Sequence, residues 1–379
     1  MNDVRVIAYF AGDPSRTYQL VQWLEVLEVL DGVHPVGLVL RDPASAALIE
    51  ARTDLPVFTA PSFPELTALY VELDAKVVLY CNNAVLNVES LLDSRMLHVH
   101  VNHGESDKQS MASNNAKAYD RVFVAGEAAV QRYLSGLMEL DAHRLVRIGR
   151  PQLDLPRTPL LEPSARRTVL YAPTWEGDAD YNDYTSVDTL GESIVQAILG
   201  MPDVRLVYKP HPKVTTSLTP AISTAHTSIL RRIDDASRLD PAARHTSVLT
   251  GDILAVMPRC DALVTDVSSV GLDWLYLHTD KPIFLTDRQD GPDAVRQPVP
   301  ISQCADIVDA GNVDTLGAVL GARLDHDTRH LDRVAMRHHY FDDLHVGDST
   351  VRFLTAVSEL VALRDRLVDG GTGVPAITA

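Results

Sequence analysis

The sequence is poor in the features of disulfide-stapled domains, zinc domains and membrane spans. Its 379 residues include only three cysteines, Cys81, Cys260 and Cys304, and no Cys-x-x-Cys pair. A disulfide framework and a zinc ribbon are therefore not supported. No stretch approaches the roughly 20 consecutive apolar residues of a transmembrane helix, and the first ten residues do not resemble a signal peptide. We therefore predict a protein that is cytoplasmic or only peripheral to the inner face of the cell membrane.

Positive charge is also scarce, because 51 acidic residues outnumber 34 lysines and arginines and give a formal net charge of −17. Nucleic-acid binding requires a basic face, so we predict no nucleic-acid partner. Hydrophobic residues make up 46% and charged residues 22% of the chain, which is ordinary for a folded globular protein. The length is about right for two domains.

Short apolar runs alternate with longer amphipathic stretches along most of the chain. The predicted strands are Val4–Phe10, Val36–Leu40, Pro56–Thr59, Lys76–Tyr80, Leu97–Val101, Arg121–Val124, Thr168–Ala172, Val204–Tyr208, Ser247–Leu249, Ala262–Thr265 and Pro282–Leu285. The predicted helices include Tyr18–Leu30, Ala128–Leu140, Val187–Leu199 and Ser349–Leu367. Buried strands that alternate with helices indicate parallel sheets with helices on both faces.

A proline-rich segment divides this pattern into two halves. Gly149–Asp154 is followed by three prolines between residues 156 and 163, and prolines stiffen a connector between compact units. We predict a Rossmann-like domain over 1–154, a second Rossmann-like domain over 155–348, and a final helix with a frayed tail over 349–379. The predicted fold class is α/β, with two such domains facing across a cleft as in the glycosyltransferase-B architecture.

One polar turn follows the predicted strand Ala262–Thr265 and opens a helix with the sequence Asp266-Val267-Ser268-Ser269. Free amides at a helix N-terminus attract anions, and ligands of open α/β sheets bind beyond the carboxyl ends of the strands. We therefore expect Ser268 and Ser269 to hold a diphosphate. The alternative is that one of them only caps the helix.

A second turn, Lys209-Pro210-His211-Pro212, follows the predicted strand Val204–Tyr208 directly. The two prolines fix the backbone around His211, so its imidazole is presented in a defined direction. Lys209 brings a positive charge to the same strand end, which suits a phosphate. The competing interpretation is a rigid turn with a solvated histidine, but rigid presentation beside a lysine favours a functional role.

The first half also carries a histidine at a strand end. The predicted strand Leu97–Val101 is followed by Asn102-His103-Gly104, and the glycine allows close approach to the backbone. An imidazole there is suited to act as general base toward a hydroxyl. Glu105, Asp107 and Lys108 either orient that imidazole or form a charged loop. The spacing of the histidines does not fit zinc, and we predict no metal site.

Taken in order, these motifs resemble the CDP-glycerol glycerophosphotransferase family of bacterial wall and capsule polymer synthesis. The residues that carry the resemblance are His103-Gly104, Tyr171-Ala172-Pro173-Thr174-Trp175, Lys209-Pro210-His211-Pro212, Asp266-Val267-Ser268-Ser269, Lys281-Pro282-Ile283-Phe284-Leu285 with Asp287, and Gly347-Asp348-Ser349-Thr350 with Arg352. Each motif is weak alone, whereas the ordered set is specific.

The resemblance implies transfer of glycerol phosphate, or a related polyol phosphate, from a CDP-activated donor, with CMP leaving. The acceptor would be a hydroxyl of a cell-wall or capsule polymer or of a lipid-linked acceptor, with peripheral membrane contact and no cofactor. By this analogy His103 is the base on the acceptor-side domain. His211 would support the diphosphate or the departing phosphate.

The same analogy gives further residues a place in the site. Lys209, Ser268 and Ser269 would hold the donor diphosphate, and Thr174 would line the site. Asp273 would hydrogen-bond the ribose or be a solvated helix residue. Arg352 would reach the donor phosphates or pair with Asp348 at the surface.

The acceptor side departs from the family pattern. Family members often have Thr-Pro-Leu-Lys after the His-Gly pair, whereas this chain has Glu105-Ser106-Asp107-Lys108. Glu105, Asp107 and Lys108 are assigned to the acceptor side. The two acids leave the acceptor and the transferred group open.

Two other functions fit the same broad pattern. One is a nucleotide-sugar glycosyltransferase of the same fold; the related sugar-nucleotide epimerases need several catalytic carboxylates, and no ordered set of these stands out. The other is a non-catalytic nucleotide-binding sensor. A sensor does not explain two rigidly presented histidines, His103 and His211, in different halves of the chain.

Overall fold

The computed structural model describes residues 3–108, 111–177, 182–288 and 299–369. Within them the chain forms two compact units, each with its own parallel β-sheet. Unit 1 takes the described residues of Met1–Gly104, Ala112–Leu155 and Tyr340–Ala379, and unit 2 takes those of Glu105–Met111 and Pro156–His339. The predicted α/β class with two parallel-sheet domains is confirmed.

The sheet of unit 1 has seven strands. They are β1 Val6–Phe10, β2 Val36–Leu40, β3 Val57–Thr59, β4 Val77–Tyr80, β5 Leu97–His100, β6 Arg121–Val124 and β7 Leu145–Arg147. Their order is β3-β2-β1-β4-β5-β6-β7, and all neighbours run parallel. β1, β2 and β4 are buried along their whole length, as expected of central strands that are covered on both faces.

Helices connect these strands. They are α1 Tyr18–Val21, α2 Leu24–Asp31, α3 Pro43–Glu50, α4 Phe63–Leu73, α5 Asn87–Ser90, α6 Glu127–Gly136 and α7 Pro151–Asp154. The start of α4 shows how the sequence fixes such an element, because Ser62 and Glu65 form a reciprocal capping box that satisfies two backbone N–H groups at the helix end. The predicted helix Tyr18–Leu30 is interrupted at Trp23, whose indole N–H donates to the carbonyl of Asn102 at 2.6 Å.

The sheet of unit 2 has six parallel strands. They are β8 Arg167–Ala172, β9 Val204–Tyr208, β10 Thr246–Ser247, β11 Ala262–Thr265, β12 Ile283–Thr286 and β13 Asp306–Val308. Their order is β10-β9-β8-β11-β12-β13. The helices are α8 Gly191–Leu199, α9 Pro220–Leu239, α10 Ile253–Val256, α11 Ser269–Leu277, α12 Leu316–Asp325 and α13 His330–Phe341. Among the described helices of the whole chain, none is long and apolar enough to cross a membrane.

The chain returns to unit 1 at Tyr340, near the end of α13, and the last element that the structure describes is α14, Asp348–Asp369. Phe353 and Val357 of this helix are fully buried in the core of unit 1, and the Phe353 ring lies 5.4 Å from that of Trp23. Burial of this apolar face explains why the final helix belongs to unit 1 instead of forming a separate terminal segment. Unit 2 accordingly ends at residue 339, before the predicted 348.

Candidate functional site

Four neighbouring strands of unit 2 end in polar residues at one edge of the sheet. The residues there are Thr174 after β8, Lys209 after β9, Asp266 after β11 and Asp287 after β12. From β8 the chain moves outward to β9 and β10, and it then returns to place β11 on the other side of β8. Such a reversal is the expected ligand position of an open parallel sheet, so the edge between β8 and β11 is the candidate site of unit 2.

Asp266 organises this edge. One carboxylate oxygen accepts hydrogen bonds from the backbone N–H groups of Thr174 and Ser186 at 2.7 and 3.3 Å, and the other accepts from the Thr286 hydroxyl at 2.5 Å. Asp266 is completely buried, and burial raises the pKa of its carboxyl to about 6. This single side chain therefore ties together the segment that follows β8, the end of β12 and the loop before α8.

Lys209 lies beside this arrangement with a buried side chain. Its backbone N–H donates to the Tyr171 carbonyl at 2.9 Å, but its ammonium has no carboxylate or hydrogen-bond partner among the described residues. Burial lowers the pKa of Lys209, and the charge of Asp252 opposes that shift. A largely buried cation that no carboxylate contacts among the described residues is costly, which favours an anionic ligand at this position, as the sequence predicts.

The N-terminus of α11 supplies a second feature suited to an anion. Ser268 precedes the helix in an extended conformation, and its side chain caps no backbone N–H of α11. The Ser268 hydroxyl is buried without a hydrogen-bond partner in the described structure. This observation disfavours simple capping, and Ser269 lies next to it as the first helical residue. Asp273, one turn further, is buried, so the alternative of a solvated helix residue is wrong.

His211 is held by backbone contacts on both sides. Its N–H donates to the Pro173 carbonyl at 2.9 Å, and its ring Nδ1 accepts from the backbone N–H of Lys213 at 3.2 Å. A neutral imidazole whose Nδ1 accepts carries its proton on Nε2. The ring stacks on Trp175 with centroids 6.0 Å apart, and the Lys213 ammonium lies 3.5 Å from the indole centroid. His211 is therefore a fixed donor through Nε2.

The segment Glu105–Met111 follows a strand of unit 1 but belongs to unit 2. Glu105 and Ser106 are buried. The Lys108 ammonium lies 3.4 Å from the Thr174 hydroxyl and 5.6 Å from the centroid of the Tyr184 ring. Burial lowers the pKa of Lys108, against the opposing charges of acidic residues in unit 2. The structure thus groups Lys108 with the predicted donor side, whereas the sequence assigns it to the acceptor side.

The loop before α8 is closed by Arg288, which follows β12. Its guanidinium pairs with Asp183 at 2.5 Å and with Asp188 at 3.3 Å. The Thr185 hydroxyl of the same loop donates to the Thr174 carbonyl at 2.9 Å. These contacts hold the loop that carries Tyr184 against the strand ends.

His103 occupies the corresponding strand end in unit 1. Its Nδ1 lies 3.3 Å from the Cys81 carbonyl, which only accepts, so Nδ1 is the protonated nitrogen and Nε2 keeps its lone pair. Burial lowers the pKa of His103 to about 4, and the nearby charge of Arg150 contributes to the same direction. The Tyr18 ring packs edge-on at 5.9 Å. The imidazole is therefore neutral at physiological pH and available as a proton acceptor.

The turn that presents His103 places Asn102 in the left-handed backbone region, which suits an asparagine. Asn102 adopts a φ of 52°, in the left-handed region where asparagine is tolerated better than most residues. Its side-chain oxygen accepts from the His103 N–H at 2.9 Å, and its carbonyl accepts from the Trp23 indole. The local geometry is thus fixed from both sides.

Arg352 is placed in unit 1, where its half-exposed side chain lies 3.8 Å from Asp342. The predicted partner Asp348 instead accepts from the backbone N–H of His345. The described part of the chain contains no group of three or more His, Cys, Asp or Glu side chains arranged to hold a metal ion.

A family model, that of the CDP-glycerol:poly(glycerophosphate) glycerophosphotransferases, matches residues 94–289, just over half of the chain. The chain belongs to this family. The matched range includes His103 and the motifs of unit 2 as far as Asp287, so the predicted resemblance is confirmed. The protein is therefore a transferase of this class, with CDP-glycerol as the donor and a glycerophosphate polymer as the acceptor class. The glycosyltransferase alternative fits less well.

Solved structures share the fold over nearly the whole chain. The wall teichoic acid polymerase TagF matches with a TM-score of 0.61 and 13% identity, covering 96% of this chain and 90% of its own. Anabaena HepE in complex with UDP and glucose matches with a TM-score of 0.55 and 14% identity, covering 95% of this chain and 100% of its own. A putative UDP-N-acetylglucosamine 2-epimerase from Listeria monocytogenes matches with a TM-score of 0.58 and 13% identity, covering 96% of this chain and 98% of its own. These likenesses confirm the predicted glycosyltransferase-B fold. No curated protein matches the chain.

Sequence reasoning did not identify two features of the site. Asp266 belongs to a predicted motif but has no predicted role, although an acid directly after a buried strand is a signal for a buried hydrogen-bond acceptor. Sequence reasoning also missed the clamp of Arg288 on the loop before α8, because an ion pair between residues about 100 positions apart leaves no local pattern.

Proposed function

We propose that the chain transfers glycerol phosphate from CDP-glycerol to the terminal hydroxyl of a glycerophosphate polymer on a lipid carrier, with His103 as base and His211 as the group that supports the departing CMP. The observation that carries the donor assignment is Lys209 at the strand-end edge of unit 2, a buried lysine whose ammonium contacts no carboxylate among the described residues. The structural similarity to TagF, a wall teichoic acid polymerase, supports the choice of polymer.

The donor diphosphate is assigned to the edge between β8 and β11. Lys209 would neutralise one phosphate, and the Ser268 hydroxyl with the free amides of α11 would bind the other. Lys108 is assigned to the same diphosphate because its ammonium contacts the Thr174 hydroxyl and, among the described residues, no carboxylate. Asp273, which is buried in α11, is proposed to bind the ribose.

The reaction then needs one proton acceptor and one proton donor. Nε2 of His103 removes the proton of the acceptor hydroxyl as its oxygen attacks the phosphorus that carries glycerol. A new P–O bond forms, the bond from that phosphorus to the bridging oxygen breaks, and CMP leaves with the electron pair. Nε2–H of His211 donates to the phosphate oxygens, where negative charge gathers. The two histidines match these roles because their Nδ1 atoms have opposite partners.

A thermal-shift panel with CDP-glycerol, CDP-ribitol, CDP, UDP and UDP-sugars tests the donor. Binding to the folded state raises the melting temperature, so CDP-glycerol and CDP should produce the largest shifts. Lys209→Met should reduce these shifts strongly, while Lys213→Met, which changes a lysine beside the same turn, should reduce them less. Equal shifts for CDP and UDP, or a larger shift for a UDP-sugar, would contradict the donor assignment.

A further inference from the structure

Glu176, in the turn after β8 of unit 2, carries a buried oxygen to which no described residue donates a hydrogen bond. One carboxylate oxygen, Oε1, accepts from the hydroxyls of Ser217 and Thr219 at 2.5 and 3.4 Å. The other oxygen, Oε2, is buried and has no hydrogen-bond partner among the residues that the structure describes. A buried carboxylate oxygen without a donor is costly, so this position favours a ligand that supplies one.

A second buried acceptor lies next to the same turn. Gly177, directly after Glu176, adopts a φ of 77°, which glycine adopts far more readily than other residues. It packs so closely on Asn182 that an added β-carbon would lie 2.7 Å from the Asn182 carbonyl oxygen. The side-chain oxygen of Asn182 is also buried without a hydrogen-bond partner in the described structure. A turn with two such acceptors suits a ligand that is rich in hydrogen-bond donors.

The chemistry of these acceptors favours hydroxyls over phosphate. A carboxylate repels the oxygens of a diphosphate, whereas a polyol offers O–H donors to it. The cytosine amine is also a donor, but a base needs an aromatic face on which to stack. The indole of Trp175, directly before Glu176, packs against the core of unit 2. The same ring stacks with His211 and lies 3.5 Å from the Lys213 ammonium, so these groups already occupy it.

The position of the turn in the sheet agrees with a polyol. β8 lies between β9 and β11, and Ser217 and Thr219, which hold the Glu176 carboxylate, follow β9. Helix α11, to which the ribose is assigned through Asp273, instead follows β11. Glu176 therefore lies on the β9 side, away from the assigned ribose. The polyol is bonded to the distal phosphate of the donor, so it is the part that extends beyond the diphosphate on this side.

We propose that Oε2 of Glu176 accepts a hydrogen bond from a hydroxyl of the polyol whose phosphate is transferred. This assignment rests on the proposed function, which places the donor diphosphate at the edge between β8 and β11. Glu176 is then a specificity-determining residue for the transferred group, whereas other residues select the nucleotide. A donor without these hydroxyls would leave the buried oxygen unpaired in the complex and would bind more weakly.

Titration calorimetry with three ligands tests this assignment. They are CDP-glycerol, CDP, and the propyl ester of CDP, which lacks both glycerol hydroxyls. We expect Glu176→Ala to weaken CDP-glycerol binding by about 10- to 100-fold, as for a hydrogen bond to a charged group, and to leave the affinities for CDP and the propyl ester unchanged. The matched control is Glu192→Ala in α8, since the Glu192 carboxylate also accepts from a serine hydroxyl, that of Ser228 at 2.8 Å. It should change none of the three affinities.

Two results would overturn the proposal. An equal loss for CDP-glycerol and the propyl ester would show that Glu176 contacts a group common to both, such as the cytosine amine. Unchanged CDP-glycerol affinity with a lower melting temperature would make Glu176 only a structural link to Ser217 and Thr219. If Glu176→Ala does not fold, Glu176→Gln keeps the shape of the side chain, removes its charge and should give a loss of the same sign.

The failure of the proposed function would give a different result. The unaltered protein would then bind a UDP-sugar in preference to CDP-glycerol. In that case the comparison of the UDP-sugar with UDP decides the role of Glu176. A loss in Glu176→Ala that is confined to the UDP-sugar would support hydrogen bonding to the hydroxyls of the transferred group, and an equal loss for both ligands would overturn it.

Discussion

Replacing Lys209 by methionine should make the ligand-free protein more stable and much poorer at binding its donor. The Lys209 side chain is only 5% exposed, and within the described structure its ammonium has no carboxylate or carbonyl partner. Methionine keeps an apolar stem of similar length and removes the charge. The two effects have opposite signs, which is the mark of a side chain retained for binding at the expense of stability.

The magnitudes follow from desolvation and from the lost phosphate contact. Relief of a poorly compensated buried charge should raise the free energy of unfolding by about 1–2 kcal/mol. For a unit of this size that is a rise of roughly 3–6 °C in melting temperature. Loss of a charge-assisted hydrogen bond to phosphate should weaken CDP binding by about 10- to 100-fold. Differential scanning calorimetry without ligand and titration calorimetry with CDP measure the two effects.

Lys281 is the matched control in the same unit. Its ammonium donates to the Cys260 carbonyl at 2.7 Å and lies 5.7 Å from the Trp274 ring centroid. Lys281→Met removes these contacts, so it should lower the melting temperature and leave CDP affinity unchanged. If Lys209→Met instead destabilises the protein as much as Lys281→Met and still binds CDP normally, Lys209 is a structural residue and the phosphate assignment fails.

The remaining predictions concern the two histidines, the metal requirement and Asp266. His103→Ala should lower turnover at least about a hundredfold and leave CDP affinity unchanged. In the unaltered enzyme, the acid limb of the pH profile of kcat/KM should lie well below pH 6.5, because burial lowers the pKa of His103 to about 4. Near-normal turnover of the variant would refute the role of His103 as the base. His211→Ala should lower both turnover and CMP affinity in stopped-flow and calorimetric assays, and normal CMP affinity would contradict its placement. Activity should persist in EDTA because Lys209 and the helix amides supply the positive charge, and complete loss restored by magnesium would refute this. The pKa of the Asp266 carboxyl is raised from 3.8 to about 6, so the folded chain binds more protons than the unfolded chain between these two pH values. The contribution of Asp266 to the free energy of unfolding should therefore fall by about 3 kcal/mol as the pH rises through that range. Urea unfolding of Asp266→Asn should lack this pH dependence, and an unchanged dependence would refute the assignment.

The central strands could be predicted from the sequence because both of their faces are buried. Val36–Leu40, Val204–Tyr208 and Ala262–Thr265 match the structure at both ends, since a strand covered on two sides reads as a continuous apolar run. The edge strands β7 and β13 were not predicted. They have three residues each and are only partly buried, so their sequences carry little hydrophobic signal.

The residues of the candidate site could be predicted only where a reactive or charged side chain directly follows a predicted strand. His103, Lys209 and Ser268 were placed by this rule, because parallel strands bring their carboxyl ends to one edge of a sheet. The segment that carries Lys108 could not be placed, because it follows β5 of unit 1 in sequence and its burial in unit 2 is a tertiary effect. Asp273 shows the same limit, since nothing in its helical sequence distinguishes a buried acid from a solvated one.

Asp266 explains how the site that we propose for the diphosphate, which is made of four chain segments, is preorganised. Its three accepted hydrogen bonds fix the positions of Thr174, Ser186 and Thr286, and Thr174 in turn contacts Lys108. A fixed arrangement of this kind binds charge without the cost of ordering loops at each turnover. Both oxygens of the carboxylate accept hydrogen bonds from these protein groups. Its negative charge therefore holds two backbone N–H groups and a hydroxyl in place, which is why an acid stands at the centre of a site proposed to bind an anion.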